Sequence, residues 1–216
     1  MSSKQTILGA IRRHQPALKI AGGEPAPAFA PTKYADPVAQ FARVLAEVGG
    51  QCVNVADAAA ANALLEQMPV WTAGRKRISL VPGIGDSTFD LAAVADPHEL
   101  EDVDMAIAPG EFCVAENGAV WVTDRQVRQR AIYFIPQHLA LVVPREQIVN
   151  NLHEAYQRLA FDSPGFGVFI SGPSKTADIE QSLVIGAHGP RSLTVFLIGS
   201  ADGAAGDNAG RGENRR

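Results

Sequence analysis

The sequence predicts an α/β sandwich with a largely parallel sheet, and three observations carry that expectation. Helix-period and strand-like segments alternate along most of the 216 residues, the pattern of βα units rather than of separate all-α or all-β layers. GFGVFIS (165–171) and SLTVFLI (192–198) are continuous apolar runs, as strands buried on both faces of a sheet tend to be. The chain is 46% hydrophobic and 19% charged, ordinary for a soluble protein and long enough to bury a sizeable core.

In chain order, residues 3–14 set Ile7, Leu8 and Ile11 on one stripe with Arg12 and Arg13 near the end, a short amphipathic helix. PALKIAGGEPAPAFAPTKYADP (16–37) is dense in Pro, Gly and Ala and reads as an extended arm. A compact domain opens at Asp36-Pro37. Asp is a good N-cap, Pro suits the first helical position, and Gly49-Gly50 closes VAQFARVLAEV as a C-cap does. QCVNVA (51–56) is a strand, DAAAANALLEQM (57–68) a helix capped by Asp57, and RISLVPG (77–83) a strand. EFCVAENGAVWVTD (111–124) is two strands around a turn, and LALVV (139–143) another strand. PREQIVNNLHEAYQRL (144–159) opens with Pro144 and carries Ile148, Leu152, Tyr156 and Leu159 at helical spacing. ADGAAGDNAGRGENRR (201–216) lacks periodicity and has few apolar side chains, and reads as a disordered tail. The organisation expected is a helix and arm over 1–35, one domain over 36–200, and the tail.

A net charge of -4 argues against a nucleic-acid or anionic-membrane partner. The short cluster Arg75-Lys76-Arg77 reads as a solvated loop. Cys52 and Cys113 stand far apart without a CxxC, so this chain's cysteines alone cannot build an iron–sulfur cluster or a structural zinc site. Both sit in apolar runs as buried free thiols. The N-terminus lacks a signal-peptide core, and no apolar run approaches the roughly 18 residues needed to span a bilayer. The cytoplasm is the expected location.

The stretch SGPSKTADIEQSLVIGAHGPRS (171–192) places two Gly-Pro turns, a Ser-Lys-Thr cluster, two acids and a histidine between two apolar runs. It is no P-loop, because Pro173 and Ser174 separate Gly172 from Lys175-Thr176. If IEQSLVIGA begins as a helix, its first-turn N–H groups together with Ser174, Thr176 and Lys175 hold a carboxylate or phosphate. The simpler reading is that Ser174 or Thr176 caps the helix while Asp178 and Glu180 offset its dipole. So many polar groups exceed what capping needs, and a small-molecule site is the stronger reading. Asp178, Glu180 and His188 are also conceivable metal ligands, yet their spacing matches no metal motif, so no metal or other cofactor is expected. In CVAENGAVWV (113–122), Glu116 either sits in solvent at the edge of an Asn-Gly turn or projects into a cleft as a base or nucleophile.

These residues resemble a known family. Gly172 to Glu180 and Gly186 to Pro190 match G-P-S-x-T-A-D-I-E and G-x-H-G-P, the C-terminal signature of the LUD domain family, lactate-utilisation proteins of the LutC/YkgG type. AENG (115–118) resembles the family's A-E-x-G turn, and the opening helix with its Pro-rich arm is similar to the family's N-terminus. The resemblance implies a three-layer α/β/α sandwich with a mixed, mostly parallel sheet, related to the NagB/RpiA/CoA-transferase group. It further implies an accessory subunit of L-lactate oxidation to pyruvate, working with cysteine-rich, iron–sulfur partner subunits. A small carboxylate or phosphorylated ligand would then be held by Ser174, Lys175, Thr176, Glu180 and His188, with Glu116 and Asp178 as catalytic candidates. AENG is also similar to the S-E-N-G element of CoA-transferases, in which the glutamate is the nucleophile. A CoA-transferase-like enzyme using Glu116 is therefore one alternative, and a non-catalytic scaffold another.

Overall fold

The computed structural model describes residues 3–14, 30–159, 165–176, 184–186 and 188–199. The chain divides into two compact units, Met1–Pro31 and Thr32–Arg216. In the first, α1 (Ser3–His14) is the amphipathic helix expected, and none of its residues is buried. The expected arm is described only from residue 30, and the expected tail lies outside the described residues.

The second unit starts with α2 (Pro37–Glu47), whose ends obey the sequence signals. Asp36 accepts the Ala39 N–H at 3.0 Å, and Pro37 takes the first helical position. At the other end Gly49 N–H reaches the Ala46 carbonyl at 2.9 Å and Gly50 N–H the Leu45 carbonyl at 2.8 Å, the paired bonds of a Schellman cap. There follow β1 (Gln51–Val55), α3 (Ala58–Leu65) capped by Asp57, and the single-turn α4 (Pro69–Thr72). Then come β2 (Arg77–Ser79), β3 (Met105–Pro109), and the hairpin of β4 (Phe112–Val114) and β5 (Ala119–Thr123). β6 (His138–Pro144), β7 (Ile148–Val149), α5 (Leu152–Arg158) and β8 (Gly167–Ile170) lead to the polar loop. The described part of that loop holds β9 (Lys175–Thr176) and β10 (Val184–Ile185), and β11 (Ser192–Ile198) follows it.

The main sheet runs β1-β11-β6-β3-β2, and every neighbouring pair is parallel. Successive residues of a strand point to opposite faces, and the core divides accordingly. Leu139, Leu141 and Val143 of β6, with Leu193, Val195 and Leu197 of β11, face Phe41 and Leu45 of α2 and Cys113, Val120 and Val122 of the hairpin. Ala140, Val142 and Phe196 face the other way, with Leu65 of α3 and Trp71 of α4. Phe41, Leu45, Leu65 and Trp71 are all but fully buried, each worth roughly 1.5–3 kcal/mol or more in removed apolar surface. A second, mixed sheet, β7-β4-β5-β8, shares the first of these cores. Its outer face sets the Trp121 and Phe169 rings in tilted contact, their centroids 4.6 Å apart, and is closed by Leu152 and Ala155 of α5.

Four expectations change. The helix read from Pro144 onward starts only at Leu152. Pro144 ends β6, its carbonyl taking the Gln147 N–H in a turn. β-Branched Ile148 and Val149 then pair in parallel with the open edge of β4. Asn151 is the true N-cap, accepting the Glu154 N–H at 2.9 Å while its amide donates to the Thr32 carbonyl at 2.7 Å. The run GFGVFIS is not a doubly buried strand either. β8 lies antiparallel to β5 at the border of the second sheet and is only half-buried. The helical start weighed for IEQSLVIGA lies outside the described residues, and at the segment's described end Val184 and Ile185 instead pair antiparallel with Thr176 and Lys175. Lastly, only Arg75 of the basic cluster is solvated. Lys76 pairs with Asp102, and Arg77 pairs with Asp86 while lying 5.0 Å over the Trp71 ring.

The turn of the β4–β5 hairpin yields a stability prediction. Gly118 has φ +64, and a Cβ there would lie 2.8 Å from the Leu45 nitrogen on α2. Gly118→Ala should cost about 2–5 kcal/mol through strain and overpacking, whereas Asp36→Ala, losing only a cap, should cost about 1 kcal/mol. Urea denaturation of the two variants checks the ranking, and equal costs would show that the hairpin does not need to approach α2.

Candidate functional site

The polar loop leaves β8 at Ser171, whose hydroxyl donates to the Asn117 carbonyl of the hairpin turn at 2.8 Å. Gly172 has φ +76 and presses on the end of α2 so closely that a Cβ would lie 2.5 Å from the Val48 carbonyl oxygen. Ser174 is then locked through its backbone. Its N–H donates to the Pro190 carbonyl and its carbonyl accepts the Gly186 N–H, both at 2.9 Å. The second Gly-Pro turn is thus tied to the serine that directly follows the first. Gly189 completes the fit, because a methyl group there would crowd the Ser174 Cβ at 3.0 Å and the Phe134 carbonyl at 3.1 Å.

Under this turn lies a cavity of about 170 Å³. Leu139, Ile170 and Leu193, from β6, β8 and β11, supply apolar wall, and Ser174 and His188 line it as well. Tyr133 forms another wall. Its ring is buried and its hydroxyl donates to the Thr123 carbonyl at 3.0 Å. Burial, reinforced by the Glu111 and Asp124 carboxylates, pushes its pKa far above the ordinary tyrosine value, so it stays a donor at any physiological pH.

The sequence-derived candidates separate in space. Ser174 and His188 come together at the cavity. Lys175 is exposed, and its stem runs near Gly49 at the end of α2, where the helix carries partial negative charge. Asp178 and Glu180, like the side chain of Thr176, lie outside the described residues, and with them two of the three metal ligands considered. Among the described residues no three His, Cys, Asp or Glu side chains group as a metal site. Glu116 does not line the cavity. It is exposed beside the Asn-Gly turn, and its Oε2 accepts the Leu152 N–H of α5 at 2.8 Å, an anion placed where the first turn of a helix favours one.

Sequence reading missed Tyr133 and Phe134, which belong to a single 3₁₀ turn and its exit without periodicity. It also assigned no role to His138. That ring stands at the amino end of β6, with Nδ1 2.7 Å from the Ser192 hydroxyl across the parallel pair. Partial burial and the Arg191 guanidinium lower its pKa, against a smaller opposing pull from Asp104.

The sequence profile of the LUD domain matches residues 87–198, a span that includes the hairpin, β6 and the polar loop. A protein named lactate utilization protein C from Oceanobacillus iheyensis is 29% identical over 104 residues, 45% of either chain. Its namesake from Geobacillus kaustophilus is 30% identical over 123 residues, 54% of this chain and 48% of that one. The chain thus spans about half the length of the curated relatives it matches. Among solved structures, a DUF162 family protein from Deinococcus radiodurans shares the fold, with a TM-score of 0.57 at 20% identity over 78% of this chain and 100% of that one.

The lowered pKa of His138 sets a pH dependence. The unfolded chain protonates near 6.5, before the folded one does, so stability falls as pH drops below about 6.5 and levels off under the folded pKa. His138→Gln should flatten that part of the stability–pH curve between pH 7 and 5, measured by thermal melting. An unchanged slope would rule the ring out as its source.

Proposed function

The chain belongs to the LUD domain family, whose profile covers residues 87–198, and from that premise we propose that it is an accessory component of L-lactate oxidation to pyruvate. In this reading it works in the cytoplasm beside iron–sulfur partner subunits and binds a small carboxylate or phosphorylated ligand at the polar loop. The observation that carries the ligand is the cavity under Ser174 and His188. Its volume, about 170 Å³, falls below the roughly 300–1,000 Å³ of pockets for drug-sized ligands, so a molecule of a few heavy atoms suits it. Its walls are largely apolar, and the serine hydroxyl and the imidazole supply hydrogen bonds for one polar end. Thr176, Asp178 and Glu180 join this proposal by their place in the same loop.

Cysteine chemistry supports the division of labour. Cys52 and Cys113 are free, and burial pushes the Cys52 thiol up to about 11 and that of Cys113 well above the usual value. Two protonated thiols are poor ligands and poor redox groups, so the electrons from lactate go to partner proteins that carry clusters. The matched relatives bear the name lactate utilization protein C, which supports the pathway assigned here. No described helix is long and apolar enough to cross a membrane. Glu116 receives no nucleophilic role in this reading, because its carboxylate is engaged at the start of α5.

Deleting the gene should abolish growth on L-lactate and spare growth on pyruvate. Wild-type protein should restore growth, whereas Ser174→Ala and His188→Ala, both at solvent-accessible positions, should restore little while melting within a few degrees of wild type. Undiminished growth of the deletion strain on L-lactate would overturn the proposal.

A further inference from the structure

The loop cavity adjoins the amino ends of β6 and β11. A larger one, about 330 Å³, opens at the opposite end of the main sheet, outside the carboxyl ends of β3 and β6 at Pro109 and Pro144. That is the end at which open parallel sheets bind their ligands, because the loops leaving the strands diverge there. Its volume also lies within the range of ordinary ligand pockets.

The polar groups in this cavity are held in place from behind. Tyr133 donates to the Thr123 carbonyl, and the buried Thr123 hydroxyl donates to Glu111 Oε1 at 2.6 Å. Glu111 is anchored through its backbone as well, its N–H bonded to the Trp121 carbonyl at 2.8 Å. Arg125 Nε stands 3.9 Å from Glu111 Oε1, close enough to attract and too far for those two atoms to hydrogen-bond. The cavity thus presents a fixed acceptor beside a cation, with Gln126 completing the polar wall.

We propose that this cavity binds a small carboxylic acid carrying a hydrogen-bond donor on the neighbouring carbon, with Arg125 receiving the carboxylate and Glu111 the donor. A guanidinium suits a carboxylate, and a carboxylate accepts strongly from a hydroxyl or an ammonium. A 2-hydroxy acid and a 2-amino acid share that chemistry. The inference has only the ligand class in common with the reading of the loop cavity, and it stands at a different site.

The test uses the full chain, with L-lactate, L-alanine and propionate as probes, followed by calorimetry and by amide shifts in NMR. L-Lactate or L-alanine should bind at least tenfold more tightly than propionate, which lacks the donor, and should shift the amides of Gly110, Glu111 and Thr123. Glu111→Gln, which keeps the shape and an acceptor for Thr123, should weaken binding at least tenfold and narrow the preference over propionate. Arg125→Gln should weaken all three probes together. The preferred acid, hydroxy or amino, identifies the source of the ligand. Shifts confined to Ser174 and Gly189 would overturn this inference and leave the loop-cavity reading standing. Unchanged binding in both variants, or no binding of any probe at millimolar concentration, would overturn it too, whatever the growth phenotype.

Discussion

The carboxyl end of α2 is the point on which the rest of the domain is assembled. Two glycines in left-handed conformations, Gly118 of the hairpin turn and Gly172 of the polar loop, reach its backbone where a Cβ would collide with Leu45 or Val48. Close packing of this kind leaves no slack for compensation. The hairpin, the loop and the helix therefore move as one body or not at all. Ser171, bonded to the Asn117 carbonyl, links the two turns directly. Ser174 owes its position to this contact, since the loop has already been aimed by the time it closes its bonds to Gly186 and Pro190.

Tyr133 joins the two cavities. Its ring is wall to the one under Ser174, and its hydroxyl holds the strand end that carries Thr123 and, through it, Glu111. Burial keeps that hydroxyl protonated, so the link does not change with pH. The Thr123 and Tyr133 side chains are buried with partners, and among the described residues no buried side-chain polar atom lacks a hydrogen bond. Such fully satisfied networks rigidify what they connect. Each cavity thus has a stiff back wall and, on its open side, residues that can meet a ligand.

Much of the fold was legible because its signals are local. Asp36-Pro37 and Gly49-Gly50 bounded α2, Asp57 capped α3, and Asn-Gly marked the hairpin, since each of these residues satisfies or exempts a backbone group within a few positions of itself. The polar loop was legible for a different reason, an excess of polar groups between two apolar runs, and Ser174 and His188 do meet at a cavity. The sequence misled where two local signals competed. Helical spacing from Ile148 to Leu159 was real, but an unpaired edge of β4 took Ile148 and Val149, and Asn151 restarted the chain as a cap.

By itself, then, the sequence determined the alternation of elements, the ends of the early helices, the family resemblance and the loop in which the polar groups gather. All of these depend on residue types at short separations. Tertiary structure alone decided that the apolar walls of the loop cavity come from β6, β8 and β11, that Glu116 accepts the Leu152 N–H at the start of α5 instead of lining that cavity, and that Glu111, Thr123 and Arg125 share a second cavity. Those juxtapositions arise from strand order, and parallel neighbours such as β3, β6 and β11 are joined through long crossovers. Residues far apart in the chain meet there only because the sheet packs on α2 and on the hairpin at once, a constraint that no short window of sequence contains.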